Sequence, residues 1–104
     1  MSAEGARLNL LVLYSDDVEA CREFYEGMGL DFAREKHEAG PEHYSARLAD
    51  GCVLELYPAR GRGPSQPLRI GLTVARGSVR DRRLLAAGSL LRDPDGRAVA
   101  LAVA

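Results

Sequence analysis

The chain has 104 residues, of which 46% are apolar and 28% are charged, a composition typical of one small globular domain. A formal net charge of −1 argues against a nucleic-acid partner, which requires a clearly basic domain. The sequence contains no apolar run of the ~20 residues that cross a bilayer and no signal-peptide pattern, so we expect a cytoplasmic protein without a membrane partner.

The small net charge conceals two oppositely charged halves. Residues 1–57 contain twelve acidic and five basic side chains, a net charge of −7. Residues 58–104 contain nine arginines and three aspartates, a net charge of +6. We expect these halves either to form two solvated surfaces of opposite charge or to attract each other, within one chain or across a dimer.

The first half of the chain predicts a βαβββ order of elements. Residues 8–14 (LNLLVLY) have the composition of a strand and end at residue types that favour helix N-termini. From Val18 apolar side chains recur every three or four residues, which predicts an amphipathic helix ended by Gly27 and Gly29. Three more strands are predicted, the last two joined by an Asp-Gly turn: 30–37, 43–49 and 52–57.

The second half repeats this pattern in a shorter form. Residues 68–74 match the first strand at an offset of 60, and Ser78 is predicted to begin a short helix containing Leu84. Residues 97–102 follow an Asp-Gly turn and match the last strand of the first half at an offset of only 45. The missing fifteen residues correspond to one strand, so the sequence predicts an internal duplication whose second copy has lost it.

The predicted organisation is a single domain, 1–104, made of two modules. Module one covers about 7–57, a Gly/Pro/Arg-rich linker covers 58–66, and module two covers about 67–104. Cys21 and Cys52 are too few for a disulfide scaffold and are expected to be reduced, buried thiols.

The order and spacing of these motifs resemble the vicinal oxygen chelate superfamily, which includes glyoxalases, bleomycin-resistance proteins and extradiol dioxygenases. The segments that carry the resemblance are SDDVEACREFYEGMGLDF, EKHEAGPEHY, LELYPA, LRIGLTV and RDPDGRAVAL. The resemblance implies an α+β fold in which two βαβββ modules, the second lacking about one strand, form a curved mixed sheet around a cavity.

The resemblance also implies where a metal would bind. Metal-dependent members of the superfamily carry ligands, usually His, Glu, His and Glu, on the first and last strands of each module. Only Glu55 matches, because the other three positions contain Arg69, Ala100 and either Asn9 or Leu10. One carboxylate cannot bind a divalent ion well, so we expect no metal cofactor at these positions. The catalytic residues are therefore not assigned, and an enzymatic role is doubtful.

The histidines offer an alternative metal set, Glu55 with His37 or His43. If Asp50-Gly51 is a two-residue hairpin loop, Ala46 lies opposite Glu55. Strand alternation then places Tyr44 and Tyr57 on the cavity face with Glu55, and it directs His43 to the opposite face. This register argues against His43 as a ligand, whereas no turn fixes the register of His37.

The favoured function is binding of a small apolar or aromatic molecule without metal catalysis. The predicted ligand-binding residues are Glu55, Arg69, Tyr44, Tyr57 and Asn9. An equally weighted reading makes Glu55 and Arg69 a purely structural ion pair. The alternatives are a metal-dependent lyase, isomerase or dioxygenase, and an interaction module that binds no small molecule. A homodimer is expected because the lost strand leaves an open sheet edge, and its two copies either keep their own modules or exchange them.

Overall fold

The computed structural model describes residues 4–104, which form an α+β fold with two sheets. No helix in this range is long and apolar enough to cross a membrane. The helices are α1 (Val18–Gly27) and α2 (Arg83–Ala86), and one 3-10 turn covers Arg76–Ser78. The strands are β1 (Leu10–Ser15), β2 (Ala33–Glu35), β3 (His43–Arg47), β4 (Val53–Pro58), β5 (Arg69–Val74), β6 (Leu90–Arg92) and β7 (Ala98–Val103).

The first sheet confirms the predicted βαβββ module. Its strand order is β1-β4-β3-β2, with β1 parallel to β4 and the other neighbours antiparallel. Helix α1 begins where expected, because the Asp17 side chain accepts a hydrogen bond from the Ala20 N–H at 3.0 Å. The helix ends at Gly27, as the glycine pattern predicts.

The second sheet confirms the loss of one strand. Its order is β5-β7-β6, so no strand of residues 4–104 lies outside β6, where the first sheet has β2 outside β3. The predicted role of Ser78 is wrong in detail: Ser78 ends the 3-10 turn, and α2 begins later, after Arg82, without a side-chain cap. The second helix has only four residues, too few for a continuous apolar stripe.

Both modules contribute to one hydrophobic core. Leu13, Tyr25 and Leu56 of the first module are fully buried in it, and Val99 of the second module is also fully buried. Burial of each such side chain contributes about 1.5–3 kcal/mol relative to exposure. The two sheets therefore pack around a shared interior.

The turn between β3 and β4 changes the register that the sequence suggested. The Leu48 N–H donates to the Cys52 carbonyl at 2.8 Å, so three residues, 49–51, form the loop. Gly51 has φ +92°, a left-handed conformation that suits glycine in three-residue hairpin loops. Glu55 consequently lies opposite Ser45 instead of Ala46. Because side chains alternate with a period of two, this one-residue shift exchanges the two faces of β3 relative to β4.

Candidate functional site

One face of the first sheet is turned away from helix α1, and we call it the open face. Alternate residues of β1 and β4 lie on it, beginning with Leu10 and Val53, whereas Leu13 and Leu56 are buried on the opposite face. Polar side chains concentrate at one end of the open face. The residues of the four strands on this face are Leu10, Val12, Tyr14, Val53, Glu55, Tyr57, His43, Ser45, Arg47, Ala33 and Glu35.

The polar end contains a group of side chains around His43, which we call the His43 cluster: Glu35, His37, His43 and Glu55. The His43 Nε2 atom lies 3.4 Å from Glu35 Oε1 and 3.6 Å from Glu55 Oε2. The His37 Nε2 atom lies 3.6 Å from the same Glu35 oxygen. The His43 side chain is only 1% exposed, whereas that of His37 is 71% exposed. The cluster therefore extends from the sheet interior to the surface.

An aromatic platform adjoins this cluster. The Tyr57 ring stacks on His43 with a centroid distance of 4.1 Å and an interplanar angle of 9°. Tyr14, which is 47% exposed, lies 5.9 Å from Tyr57 between ring centroids. Burial raises the pKa of the Tyr57 phenol, and the nearby Glu55 carboxylate raises it further.

An open groove runs from the aromatic platform to the linker between the modules. Its volume is about 610 Å³, within the range of small-molecule sites. Arg60 and Arg62 belong to its linker wall. The residues that line it include Tyr14, Tyr57, Pro41, Pro64, Arg60 and Arg62.

The structure brings some of the predicted site residues together and separates others. Glu55 and Tyr57 share the open face, as expected. The placement of Tyr44 with them is wrong: Tyr44 is buried on the opposite face, and its hydroxyl group donates to Glu19 on α1. That hydrogen bond lowers the pKa of the Glu19 carboxyl group. The prediction that His43 points away from Glu55 is also wrong, for the same reason of hairpin register.

The predicted ion pair between Glu55 and Arg69 is absent. Among residues 4–104, Arg69 forms no ion pair, and it is exposed on the second sheet. The basic side chain within 4 Å of Glu55 in this range is the imidazole of His43, at 3.6 Å. The interaction-module hypothesis predicts a groove blocked by the Glu55–Arg69 pair, and that prediction is wrong.

The four metal positions implied by the resemblance do not fit a metal. Leu10 shares the open face with Glu55, and Asn9 precedes the strand, its carbonyl accepting from the Val53 N–H at 2.9 Å. Arg69 and Ala100 belong to the second sheet. Because Glu55 is the one anionic donor in this set, these positions give no coordination shell.

Sequence reasoning missed Glu35, which interacts with both histidines. A signal was available, because Glu35 and His37 are two residues apart and side chains two apart along a strand share a face. What the sequence did not reveal is that His43 lies directly opposite Glu35 in the β2–β3 pair.

A second group of acidic side chains is neutralised internally. We call it the Arg97 cluster: Asp93, Asp95 and Arg97 with Cys21 and Tyr25. The buried Arg97 guanidinium donates from Nε to Asp93 Oδ2 at 2.7 Å and from Nη2 to Asp95 Oδ2 at 2.8 Å. Arg97 also donates to the Tyr14 carbonyl at 2.8 Å, which links the two modules.

The two cysteines are free and buried, in agreement with the sequence-based expectation. Burial, with a hydrogen bond to Asp95, raises the pKa of the Cys21 thiol to about 12. A thiol with so high a pKa is a poor nucleophile near neutral pH, and Arg97 already provides the cation that the two aspartates require. The Arg97 cluster is therefore structural.

No protein-family model matches the chain, and no curated protein matches its sequence. Solved structures match it over nearly its whole length. A glyoxalase/dioxygenase from Nostoc punctiforme is similar with a TM-score of 0.69 and 18% identity, covering 99% of this chain and 95% of that one. A lactoylglutathione lyase from Agrobacterium tumefaciens is similar with a TM-score of 0.63 and 15% identity, covering 97% and 96%.

A third match differs in the activity stated for it. TnmS3, an antibiotic binding protein from a Streptomyces species, is similar with a TM-score of 0.67 and 18% identity, covering 98% of each chain. The chain has the vicinal oxygen chelate fold. The proteins with this fold that resemble it therefore include both enzymes and a binding protein.

Proposed function

We propose that the protein binds a small apolar or aromatic molecule on the open face, without a metal at the four positions described above. The observation that carries this proposal is the pair of tyrosine rings, Tyr14 and Tyr57, beside a groove of about 610 Å³. Exposed aromatic rings next to a concave surface supply large apolar contact areas with few rotatable bonds.

Polar groups in and beside the groove suggest the chemistry of the ligand. Arg60 and Arg62 line the groove and attract a carboxylate or phenolate. Glu55, half-buried on the same sheet face as Tyr57, accepts hydrogen bonds from a ligand donor that extends beyond the groove. A flat molecule with an anionic group at one end fits both features. The antibiotic-binding description of TnmS3 supports a small-molecule ligand.

We further propose that a second copy of the chain covers the open surfaces. The edge strand β6 has no outer neighbour, and its residue Leu90 is 54% exposed. The acidic first half and the basic second half favour an antiparallel arrangement of two copies. Light scattering at micromolar concentration is expected to give a dimer, and a species of 11.3 kDa contradicts this arrangement.

Ligand binding is testable through tyrosine fluorescence, since the chain contains four tyrosines and no tryptophan. A panel of aromatic acids and natural-product antibiotics is titrated in the presence of chelator. The variants Tyr14→Ala and Tyr57→Ala are expected to weaken binding of any hit about tenfold or more. Tyr44→Phe, which alters a tyrosine on the opposite face, is the control and leaves affinity unchanged. Equal affinity in all variants, or no hit, contradicts the proposal.

A metal-dependent lyase, isomerase or dioxygenase is the second candidate. The observation that favours it is the proximity of His43 to Glu55, at 3.6 Å. Turnover of a glutathione hemithioacetal or a catechol that stops on chelation and returns with added metal supports this candidate. Turnover that is indifferent to chelator contradicts it.

A further inference from the structure

We propose that Glu35, His37 and His43 form a binding site for a divalent transition-metal ion, with Glu55 beside the ion. Of these four residues, Glu55 alone occupies a position that metal-dependent members of the superfamily use as a ligand. All four residues belong to the first module. One carboxylate oxygen and one ring nitrogen from each histidine lie within 4.8 Å of one another. The proposal goes beyond ligand binding and does not depend on it.

The backbone explains why these side chains converge. Glu35 is the last residue of β2, and His37 follows two residues later on the same side of the chain. A turn in which the Gly40 N–H donates to the His37 carbonyl at 2.9 Å reverses the chain. His43 then begins β3 directly opposite Glu35. A hairpin thus presents all three side chains on one surface.

The distances are those of a small coordination shell. In a tetrahedral site with metal–ligand bonds of about 2.0–2.2 Å, neighbouring ligand atoms lie roughly 3.3–3.6 Å apart. The Glu35 oxygen lies 3.4 Å from His43 Nε2 and 3.6 Å from His37 Nε2. His37 is exposed, so a change of its side-chain torsion angles closes the remaining gap to His43 without disturbing the core.

The orientation of His43 is that of a metal ligand. Its Nδ1 atom lies 3.2 Å from the Pro41 carbonyl, an acceptor, so Nδ1 carries a proton. In the neutral ring Nε2 then carries the lone pair, and this atom faces the oxygens of Glu35 and Glu55. Metal-bound histidines commonly donate their second ring N–H to a carbonyl group in this way. Stacking on Tyr57 fixes the plane of the ring. The Tyr57 hydroxyl lies 3.4 Å from Nε2, so a bound metal ion replaces this contact.

A bound cation supplies the positive charge that the carboxylates of the His43 cluster lack. Without one, two carboxylates and a ring lone pair share a partly buried space, and the donor that reaches the ring nitrogen is the neutral Tyr57 hydroxyl. The Arg97 cluster solves the same problem with a guanidinium, but the structure gives the His43 cluster no Lys or Arg partner among residues 4–104.

The donor set indicates which ions bind. Two imidazole nitrogens and one carboxylate suit zinc, nickel and cobalt, whereas magnesium and calcium prefer oxygen ligands throughout. Three protein ligands leave at least one coordination position open. Glu55 is adjacent to that position and accepts a hydrogen bond from a metal-bound water or binds the ion itself.

The test is metal titration of chelator-treated, dialysed protein by calorimetry, using ZnCl2 with MgCl2 as the hard-ion control. We expect one zinc ion per chain, micromolar or tighter affinity and no magnesium binding. Cobalt added in place of zinc is expected to give the intense visible absorption of a four-coordinate ion. Removing a ligand with His37→Ala or Glu35→Gln is expected to weaken binding about 100-fold, and Glu55→Gln about tenfold.

The matched control is Glu38→Gln, which makes the same change in charge next to His37. Its side chain is exposed and outside the cluster, so we expect wild-type zinc affinity. His37→Ala is preferred to a His43 variant because His37 is exposed and its replacement leaves the fold intact. Absence of zinc binding, or equal affinity in His37→Ala, Glu35→Gln and the control, overturns the proposal. Because the ligand panel is run with chelator, failure of either proposal leaves the other standing.

Discussion

The His43 cluster and the Arg97 cluster contain similar acidic groups but differ in what neutralises them. In the Arg97 cluster a guanidinium contacts Asp93 and Asp95, and all three side chains are almost completely inaccessible. In the His43 cluster, Glu35 and Glu55 face an imidazole, and Glu35 is 38% exposed. A permanent cation makes a cluster part of the fold, whereas an imidazole can exchange its proton for a metal ion.

The largest expected effect is on the Arg97 cluster. Arg97→Ala leaves two buried carboxylates without a counter-charge, so we expect a loss of about 3–5 kcal/mol in the free energy of unfolding, measured with urea. Arg76→Ala removes the same charge from an exposed turn and is expected to change stability by about 0.5 kcal/mol or less. Equal stability of the two variants contradicts the structural role of Arg97.

The next effect concerns a single hydrogen bond of the Arg97 cluster. The buried Tyr25 hydroxyl donates to Asp93 Oδ2 at 2.6 Å, so Tyr25→Phe is expected to lose about 1.5–3 kcal/mol. Tyr14→Phe makes the same chemical change at an exposed ring and is expected to be neutral. If both variants unfold at the wild-type urea midpoint, the Asp93 contact contributes nothing to stability.

The Arg97 cluster is also expected to make the stability of the protein depend on pH, through Cys21. Since burial raises the pKa of Cys21 to about 12, the folded chain binds the thiol proton more tightly than the unfolded chain does. This contribution to stability is complete below the ordinary thiol pKa of about 8.5 and is lost as the pH rises toward 12. We expect stability to fall between pH 8 and pH 10, and to fall less in Cys21→Ala.

The same burial predicts the reactivity of Cys21. Iodoacetamide at pH 8, followed by peptide mapping, should modify Cys21 only after the chain unfolds. Rapid modification of the folded protein would show that the thiol is accessible.

The smallest effect is expected at the His43 cluster. In metal-free protein Glu35→Gln removes one of two carboxylates that share an imidazole, so we expect a change of about 0.5 kcal/mol or less. Zinc in excess is expected to raise the melting temperature of the wild type and not of this variant, because an ion that binds the folded state stabilises it. A large loss of stability in metal-free Glu35→Gln would instead assign a structural role to Glu35.

Much of the fold was predictable from local patterns. The apolar spacing after Val18 predicts α1, and the matched Asp-Gly turns identify the last strand of each module. The difference between the two offsets predicts the strand that the second sheet lacks. These features follow from the chain's own periodicity and its turn residues, which depend on neighbours in sequence.

The site was predictable only in part. Glu55 and Tyr57 were placed together correctly because they are two residues apart on one strand. The positions of Tyr44 and His43 were wrong because they depend on whether the β3–β4 loop has two residues or three. Arg69 was expected beside Glu55 from the duplicated pattern, but it lies exposed on the other sheet.

The sequence by itself determined the order of the elements, the duplication and the lost strand. The tertiary structure decided which side chains meet: His43 with Glu35 and Glu55, and Arg97 with Asp93 and Asp95. Periodicity states which residues of one strand share a face, whereas hairpin register decides how two strands align. The β3–β4 loop has three residues instead of the predicted two, and for this reason His43, and not Tyr44, lies on the same face as Glu55.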